Sequence, residues 1–354
     1  MELISKNQFL GISLSSTLLT AIAAGILHAS GTPWHVASLG LVLAFAIVVA
    51  GFLLTGVISS SAERAALKPK NQHHAPWRIA AGTWVWAFTA YLVYALGVSA
   101  ADVGEAVITA SGSLIYLGMI SIPFVFAVLA SLMPVGRRPW WLLAIILIIW
   151  APFDSGLLAP VWPWPEGGAA YMLNVWISCV LAMAAMKVAS AESCIGVVNF
   201  RIMPKKVDLD ATLRDQLWFT PLAIGFGFLT GFFAWNPKVA PYWQYPVEAL
   251  GLYLTVALPE ELLFRGLMQP TLEAMPWPRS WNKKIVATWM TALVFGLSHL
   301  NNEPLWDWRY VALATVAGLA YANVYERTGR KSLAAPALLH TGVDWLWSNF
   351  LRSF

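Results

Sequence analysis

Two adjacent glutamates, an arginine, two histidines and an aspartate are the residues of this chain whose types and spacing suit chemistry. Glu260, Glu261 and Arg265 stand in ALPEELLFRGLMQP, His299 in TALVFGLSHLNN, and His340 and Asp344 in APALLHTGVDWLW. A carboxylate and a histidine that share one water form the core of a general-base hydrolytic site. All of these residues fall in apolar surroundings. There an Asp, Lys or Arg at a membrane-helix centre costs about 2.5–3.5 kcal/mol, which makes intramembrane ionisable residues functional candidates by default.

Helical spacing sorts them. Glu261 and Arg265 are four residues apart, share a face and can pair. Glu260 is offset by about 100° around the helix, so it can face elsewhere with its charge not consumed by Arg265. Pro259 removes a backbone donor just before the pair and predicts a local kink or opening. His340 and Asp344 are also four residues apart, so Asp344 can hold one ring nitrogen of His340 and fix its tautomer. Taken singly, each feature has an ordinary reading. Glu261–Arg265 is an ion pair, His299 a helix-end histidine before Asn301 and Asn302, and His340–Asp344 an intrahelical hydrogen bond. Phe295 reads as packing, and Gly266, Gly296 and Gly342 as close helix contacts. It is their concentration in three C-terminal segments that points to a site.

The elements that must position them follow from composition. The 354 residues are 58% hydrophobic and 11% charged, against roughly 25% charged in soluble domains. A soluble fold cannot bury that much apolar surface beneath a polar exterior. Tryptophans at the ends of apolar runs, including Trp34, Trp77, Trp140, Trp162, Trp164, Trp218 and Trp281, suit an interfacial aromatic belt. The reading is therefore an all-α, polytopic membrane bundle. A ruler of about 20 apolar residues per span predicts about eleven transmembrane helices, near 9–28, 36–59, 79–99, 112–133, 140–159, 170–187, 217–235, 246–268, 286–300, 308–325 and 333–351. At 1.5 Å per residue, Glu260, His340 and His299 lie roughly 12, 10 and 20 Å from the cytoplasmic ends of their spans.

Charge gives an independent check. Of the 22 Lys and Arg, all but Lys238, Arg265, Arg309 and Arg352 fall in connections on one side of this topology. The positive-inside rule makes that side cytoplasmic, with the N-terminus cytoplasmic and the C-terminus external. Residues 9–29 after Lys6 exceed a signal-peptide core and are followed at once by a second run, so they are read as a spanning helix. The expected setting is the plasma or inner membrane. Basic residues between apolar runs are explained by topology, and no nucleic-acid partner is expected. Cys179 and Cys194 make no disulfide framework and no zinc spacing. The long mixed connection 188–216 is the candidate boundary between an N-terminal six-helix region, residues 1–200, and a C-terminal region, residues 210–354.

The order E-E-x-x-x-R from Glu260 to Arg265, F-x-x-x-H from Phe295 to His299 and H-x-x-x-D from His340 to Asp344 resembles the CAAX-protease and bacteriocin-processing (CPBP) family, which joins the type II CAAX prenyl endopeptidases and the bacterial Abi proteins. The resemblance covers residues 217–351, and the first six expected helices match nothing comparable. It implies an intramembrane endopeptidase without a cofactor, acting on a membrane-anchored or lipidated protein or peptide. Glu260 would be the base that activates water, assisted by His299. His340 and the residue four positions later would polarise the scissile carbonyl, and Glu261 would orient the site through Arg265, with Phe295 in support. Where the prenyl-protein branch carries Asn, this chain carries Asp344. An ionised carboxylate only accepts hydrogen bonds, so Asp344 is either protonated or serves to orient His340.

Two other readings use the same residues. Two His and two Glu can supply N and O ligands to zinc, although no H-E-x-x-H is present. Buried carboxylates and histidines can also form the proton or ion relay of a transporter, which predicts polar residues spread along a path and often an inverted repeat. Here they cluster, and no repeat is visible.

Overall fold

The computed structural model describes residues 39–48, 50, 76–101, 108–164, 169–190, 201, 204–302 and 306–353. The expected span 9–28, the ends of the span 36–59, most of the connection before Pro76 and Cys194 lie outside the described residues. The fold is all-α, with helix over every expected span from residue 79 onward. Contacts divide it into two compact units, Met1–Val197 and Val198–Phe354.

The first unit holds α1 (Leu39–Val48), α2 (Pro76–Ala101), α3 (Ala110–Leu132), α4 (Arg138–Asp154) and α5 (Ala169–Ser190). Leu173, Ile177, Leu181 and Ala185 of α5 are wholly buried, and α2, α3 and α4 all pack against this helix. Cys179 is buried with them. Thr109 caps α3 by accepting from the Gly112 amide at 3.0 Å, which satisfies one of the orphan donors of a first turn. Helix α3 buries Tyr116, Ile120, Phe124 and Ala127 yet exposes Leu114, Ile122, Val125 and Leu132. A helix apolar all round belongs in a large core or in hydrocarbon. By length and composition, α2 within Ala80–Ala100 and α3 over Ala110–Leu132 are long and apolar enough to cross a membrane, and they are the two such helices among the described residues.

The second unit carries α6 (Lys206–Leu229), β1 (Phe233–Trp235), a helical run α7 over residues 244–273, α8 (Lys283–Leu297), α9 (Trp308–Arg327), α10 (Ala334–Phe350) and β2 (Leu351–Ser353). Its helices fall short of the same length-and-hydropathy measure for physical reasons. Helices α8 and α10 have 15 and 17 residues, α7 is interrupted, and α6 opens on the charged stretch KVDLDATLRD. That opening extends α6 well before the expected span at residue 217. It is held by tertiary partners: Arg201 pairs with buried Asp208 at 2.6 Å, and Asp208 also accepts from the Lys205 amide at 2.7 Å. Further along, buried Asp215 accepts from Asn323 at 2.8 Å and Trp218 at 3.0 Å.

Helix α7 contains two wide π turns, Tyr253–Ala257 and Leu262–Met268. Each lies just before a proline. The Leu258 amide bonds back to Tyr253 O ahead of Pro259, and the Gln269 amide to Phe264 O ahead of Pro270. A proline ring clashes with the carbonyl four residues back, here that of Thr255 or Gly266, and each falls inside a wide turn. Such turns concentrate at functional sites.

The remaining elements close on one another through small residues. A Cβ on Gly296 of α8 would lie 2.0 Å from Thr315 Oγ1 and 2.7 Å from Val311 O of α9. At Gly318 a Cβ would lie 3.1 Å from Ala292 Cα. At Gly342 of α10 it would lie 3.0 Å from Gln216 Oε1 of α6. A short antiparallel ribbon pairs β1 with β2, with Phe233 opposite Ser353 and Trp235 opposite Leu351, and ties the end of α10 to the turn after α6.

Candidate active site

The segment between the two π turns, Leu258–Glu261, presents the glutamates. They divide as helical spacing predicts. The side chain of Glu261 is 0% exposed and that of Glu260 35%, so only Glu260 reaches open space. Glu261 Oε1 accepts from Arg265 Nη1 at 2.9 Å, and the guanidinium also donates to Gly318 O of α9 at 2.7 Å. Three rings surround that guanidinium, with Phe295, Tyr321 and Phe264 centred 4.9, 5.3 and 5.9 Å from its central carbon. A buried ion pair needs such added partners to offset its desolvation.

His340 of α10 joins the same carboxylate. Its Nδ1 lies 3.2 Å from Glu261 Oε1, while Nε2 lies 3.3 Å from Asp344 Oδ2 and 3.9 Å from Glu260 Oε2. Both ring nitrogens thus face carboxylate oxygens. The imidazole ring stacks on Tyr321 at 4.7 Å and 21° and meets the Phe295 ring edge-on at 5.6 Å.

His299 sits in the short 3₁₀ turn Ser298–Asn301 that ends α8. Its Nδ1 is 2.8 Å from Phe295 O. A carbonyl oxygen only accepts, so Nδ1 carries a proton, and in the neutral ring Nε2 keeps the lone pair. Phe295 and Tyr310 flank the ring at 4.8 and 5.0 Å.

Glu260, His299, His340 and Asp344 line one cavity of about 480 Å³. Glu261 and Arg265 lie behind it, and Phe295 forms part of its wall. The rest of the lining is mostly apolar and includes Phe219, Ile224, Phe232, Leu252, Leu346 and Trp347. A polar patch at one place in an apolar pocket is the usual form of a site that orients a substrate. Chemically, the arrangement offers a partly open carboxylate, a neutral imidazole with a basic Nε2, and an imidazole fixed between carboxylates.

Several contributors escaped the sequence reading. Tyr310, Ala314, Ala317 and Tyr321 form one stripe of α9 along the cavity. Their 4-3-4 spacing is that of any packed helix face. Asn302 also lines the cavity and donates to the Tyr310 hydroxyl at 3.5 Å. Among the described residues, no three His, Cys, Asp or Glu side chains converge as ligands of one metal ion.

Residues 242–346 match the family model described as type II CAAX prenyl endopeptidase Rce1-like. No curated protein and no solved structure matches the chain.

Proposed function

We propose, from the match of residues 242–346 to the Rce1-like type II CAAX prenyl endopeptidase model, that this protein is an intramembrane endopeptidase in which Glu260 activates water. The observation that carries the reading is the division of labour between adjacent glutamates. Glu261 is tied to Arg265 and His340, whereas Glu260 lines the cavity with His299, His340 and Asp344.

In this mechanism Glu260 takes a proton from water, and the hydroxide attacks the carbonyl carbon of the scissile peptide. The carbonyl π pair moves to oxygen. Collapse of the tetrahedral intermediate breaks the C–N bond, and the proton held on Glu260 passes to the leaving amine. His299 Nε2 accepts a hydrogen bond from the second O–H of the water, which stays on oxygen, and so orients its lone pair for attack. His340 polarises the scissile carbonyl while Glu261 and Asp344 hold its ring. The chemistry is proposed to be metal-free.

The largely apolar lining supports a membrane-anchored or lipidated protein or peptide as substrate. The two apolar helices of the first unit and the basic asymmetry of the connections support a multi-pass protein. We place it with about eleven spans and a cytoplasmic N-terminus in a plasma or inner membrane.

The test is co-expression of membrane-anchored candidate substrates with wild type and with Glu260→Ala, read by mass spectrometry of the products. A product that requires Glu260, formed while the variant accumulates normally in the membrane, supports the reading. Cleavage that persists in Glu260→Ala overturns it. The same assay in chelator retains activity if the glutamate acts without metal and loses it in a zinc enzyme.

A further inference from the structure

The proposed reaction places a negative charge on the former carbonyl oxygen, and such oxyanions are stabilised by fixed hydrogen-bond donors. The ionisable groups that line the cavity supply few of them. Glu260 and Asp344 are carboxylates. His340 has both ring nitrogens facing carboxylates, Nδ1 at Glu261 and Nε2 at Asp344, so the Nε2–H that polarises the carbonyl is also drawn toward Asp344. His299 donates through Nδ1 to Phe295 O, which leaves only an acceptor on its other nitrogen.

Tyr310 supplies what is missing. It stands at the start of α9, lines the same cavity and is 9% exposed. Its ring is fixed on several sides, by His299 at 5.0 Å, Trp347 at 4.8 Å and Phe232 at 5.5 Å. The Asn302 amide donates into its hydroxyl oxygen at 3.5 Å. That bond uses a lone pair of the phenol and leaves the phenolic hydrogen to be donated, and among the described residues no acceptor takes it. We propose that the Tyr310 hydroxyl is a neutral oxyanion donor of the peptide-hydrolysis site, with Asn302 as the residue that positions it. This rests on the endopeptidase reading. No proton is transferred: the phenol donates one hydrogen bond that strengthens as the carbonyl becomes an alkoxide.

The experiment uses the full chain in proteoliposomes and a fluorogenic peptide bearing a prenylated cysteine four residues from its C-terminus. Variants are Tyr310→Phe, Asn302→Ala, Asp344→Asn and Tyr310→Phe combined with Asp344→Asn, each checked for an unchanged unfolding temperature. Tyr310→Phe is expected to lower kcat about 10²-fold, the usual effect of removing one oxyanion donor, with KM within about twofold because a ground-state carbonyl gains little from that donor. Asn302→Ala shows the same kcat-selective pattern to a smaller extent. Asp344→Asn introduces an amide donor and recovers much of the loss in the double variant. A Tyr310→Phe enzyme with kcat within about twofold of wild type, or one that changes KM alone, overturns the assignment. Cutting of the peptide by Glu260→Ala overturns the endopeptidase reading and takes this inference with it.

Discussion

Glu261 and His340, 79 residues apart in the chain, meet at 3.2 Å between Oε1 and Nδ1 with both side chains almost wholly buried. That contact ties α7 to α10, and through Arg265 and its bond to Gly318 it reaches α9. The two adjacent glutamates therefore do different work. Glu261 is a structural hub whose Oε1 serves two cationic or donor groups at once, and Glu260 is spared to face the cavity.

The contrast gives the first prediction. Glu261→Ala leaves Arg265 buried without its counter-ion, a change that typically costs about 3–5 kcal/mol. It is expected to lower the unfolding temperature of the detergent-solubilised protein strongly and to abolish cleavage as a consequence. Equal unfolding temperatures for Glu261→Ala and wild type would contradict the hub.

Glu260→Gln is expected to behave in the opposite way. The side chain is partly open to the cavity and lies 3.9 Å from His340 Nε2, beyond hydrogen-bond range, so stability changes by about 1 kcal/mol or less, as for partly exposed ion pairs. Loss of a general base lowers turnover by about 10²–10⁴-fold. Thermal unfolding and product formation, measured on the same preparation, separate the two glutamates.

Asp208, in the first turn of α6, makes a prediction about pH. Burial pushes its carboxyl up, but the Arg201 guanidinium and the Lys205 amide outweigh that and hold it below the ordinary carboxylate range. A depressed folded-state pKa means that the stabilisation is fully present above the unfolded value of about 3.9 and is lost as pH falls through the lower folded value. Hydrogen bonds to charged groups contribute about 1.5–3 kcal/mol. Asp208→Asn is therefore expected to unfold at lower temperature than wild type at neutral pH, with the two unfolding curves converging as pH drops below about 4. A constant offset down to pH 3 would sink this account.

These residues show what the sequence makes legible. The helices of both units follow from apolar runs in the sequence, although among the described residues only α2 and α3 are long and apolar enough to cross a membrane, and the three site segments follow from charges set inside such runs. The i,i+4 spacing alone separates Glu260 from Glu261. Partnerships between distant segments carry no local signal. The charged start of α6 reads as a connection because Arg201, Asn323 and Arg327, the partners of Asp208 and Asp215, cannot be assigned from local spacing. Tyr310 gives no local signal, because an aromatic on an apolar helix face is ordinarily packing. Pro259 signals an opening of its helix, but the matching wide turn before Pro270 depends on the same proline rule applied where nothing chemical drew attention.

Close packing of α8 on α9 sets the position of His299, which follows α8 by a single turn. A methyl group on Gly296 would meet Thr315 Oγ1 at 2.0 Å and the Val311 backbone oxygen at 2.7 Å, and the backbone cannot rotate away. Gly296→Ala is expected to force the helices apart, to cost about 1–3 kcal/mol as overpacking does, and to reduce cleavage by moving His299 off its contact with Tyr310. Gly225→Ala, in α6 where a Cβ meets nothing within 4 Å, serves as the control and should leave both unfolding temperature and cleavage close to wild type. Equal behaviour of the two alanine variants would refute the packing argument.

The proposed topology is tested on the connections of the second unit. Val239, between β1 and α7, is 99% exposed, and Arg279, between α7 and α8, is exposed as well. The topology puts Val239 outside and Arg279 in the cytoplasm, because the Lys and Arg residues concentrate on Arg279's side and the span between them crosses once. In a chain with Cys179 and Cys194 replaced by alanine, Val239→Cys should react with a membrane-impermeant maleimide in intact cells. Arg279→Cys should react only after permeabilisation. If both react in intact cells, α7 does not span the bilayer, and the pair Glu260–Glu261 would then sit at a membrane surface, where water reaches Glu260 without the cavity that the proposed mechanism requires.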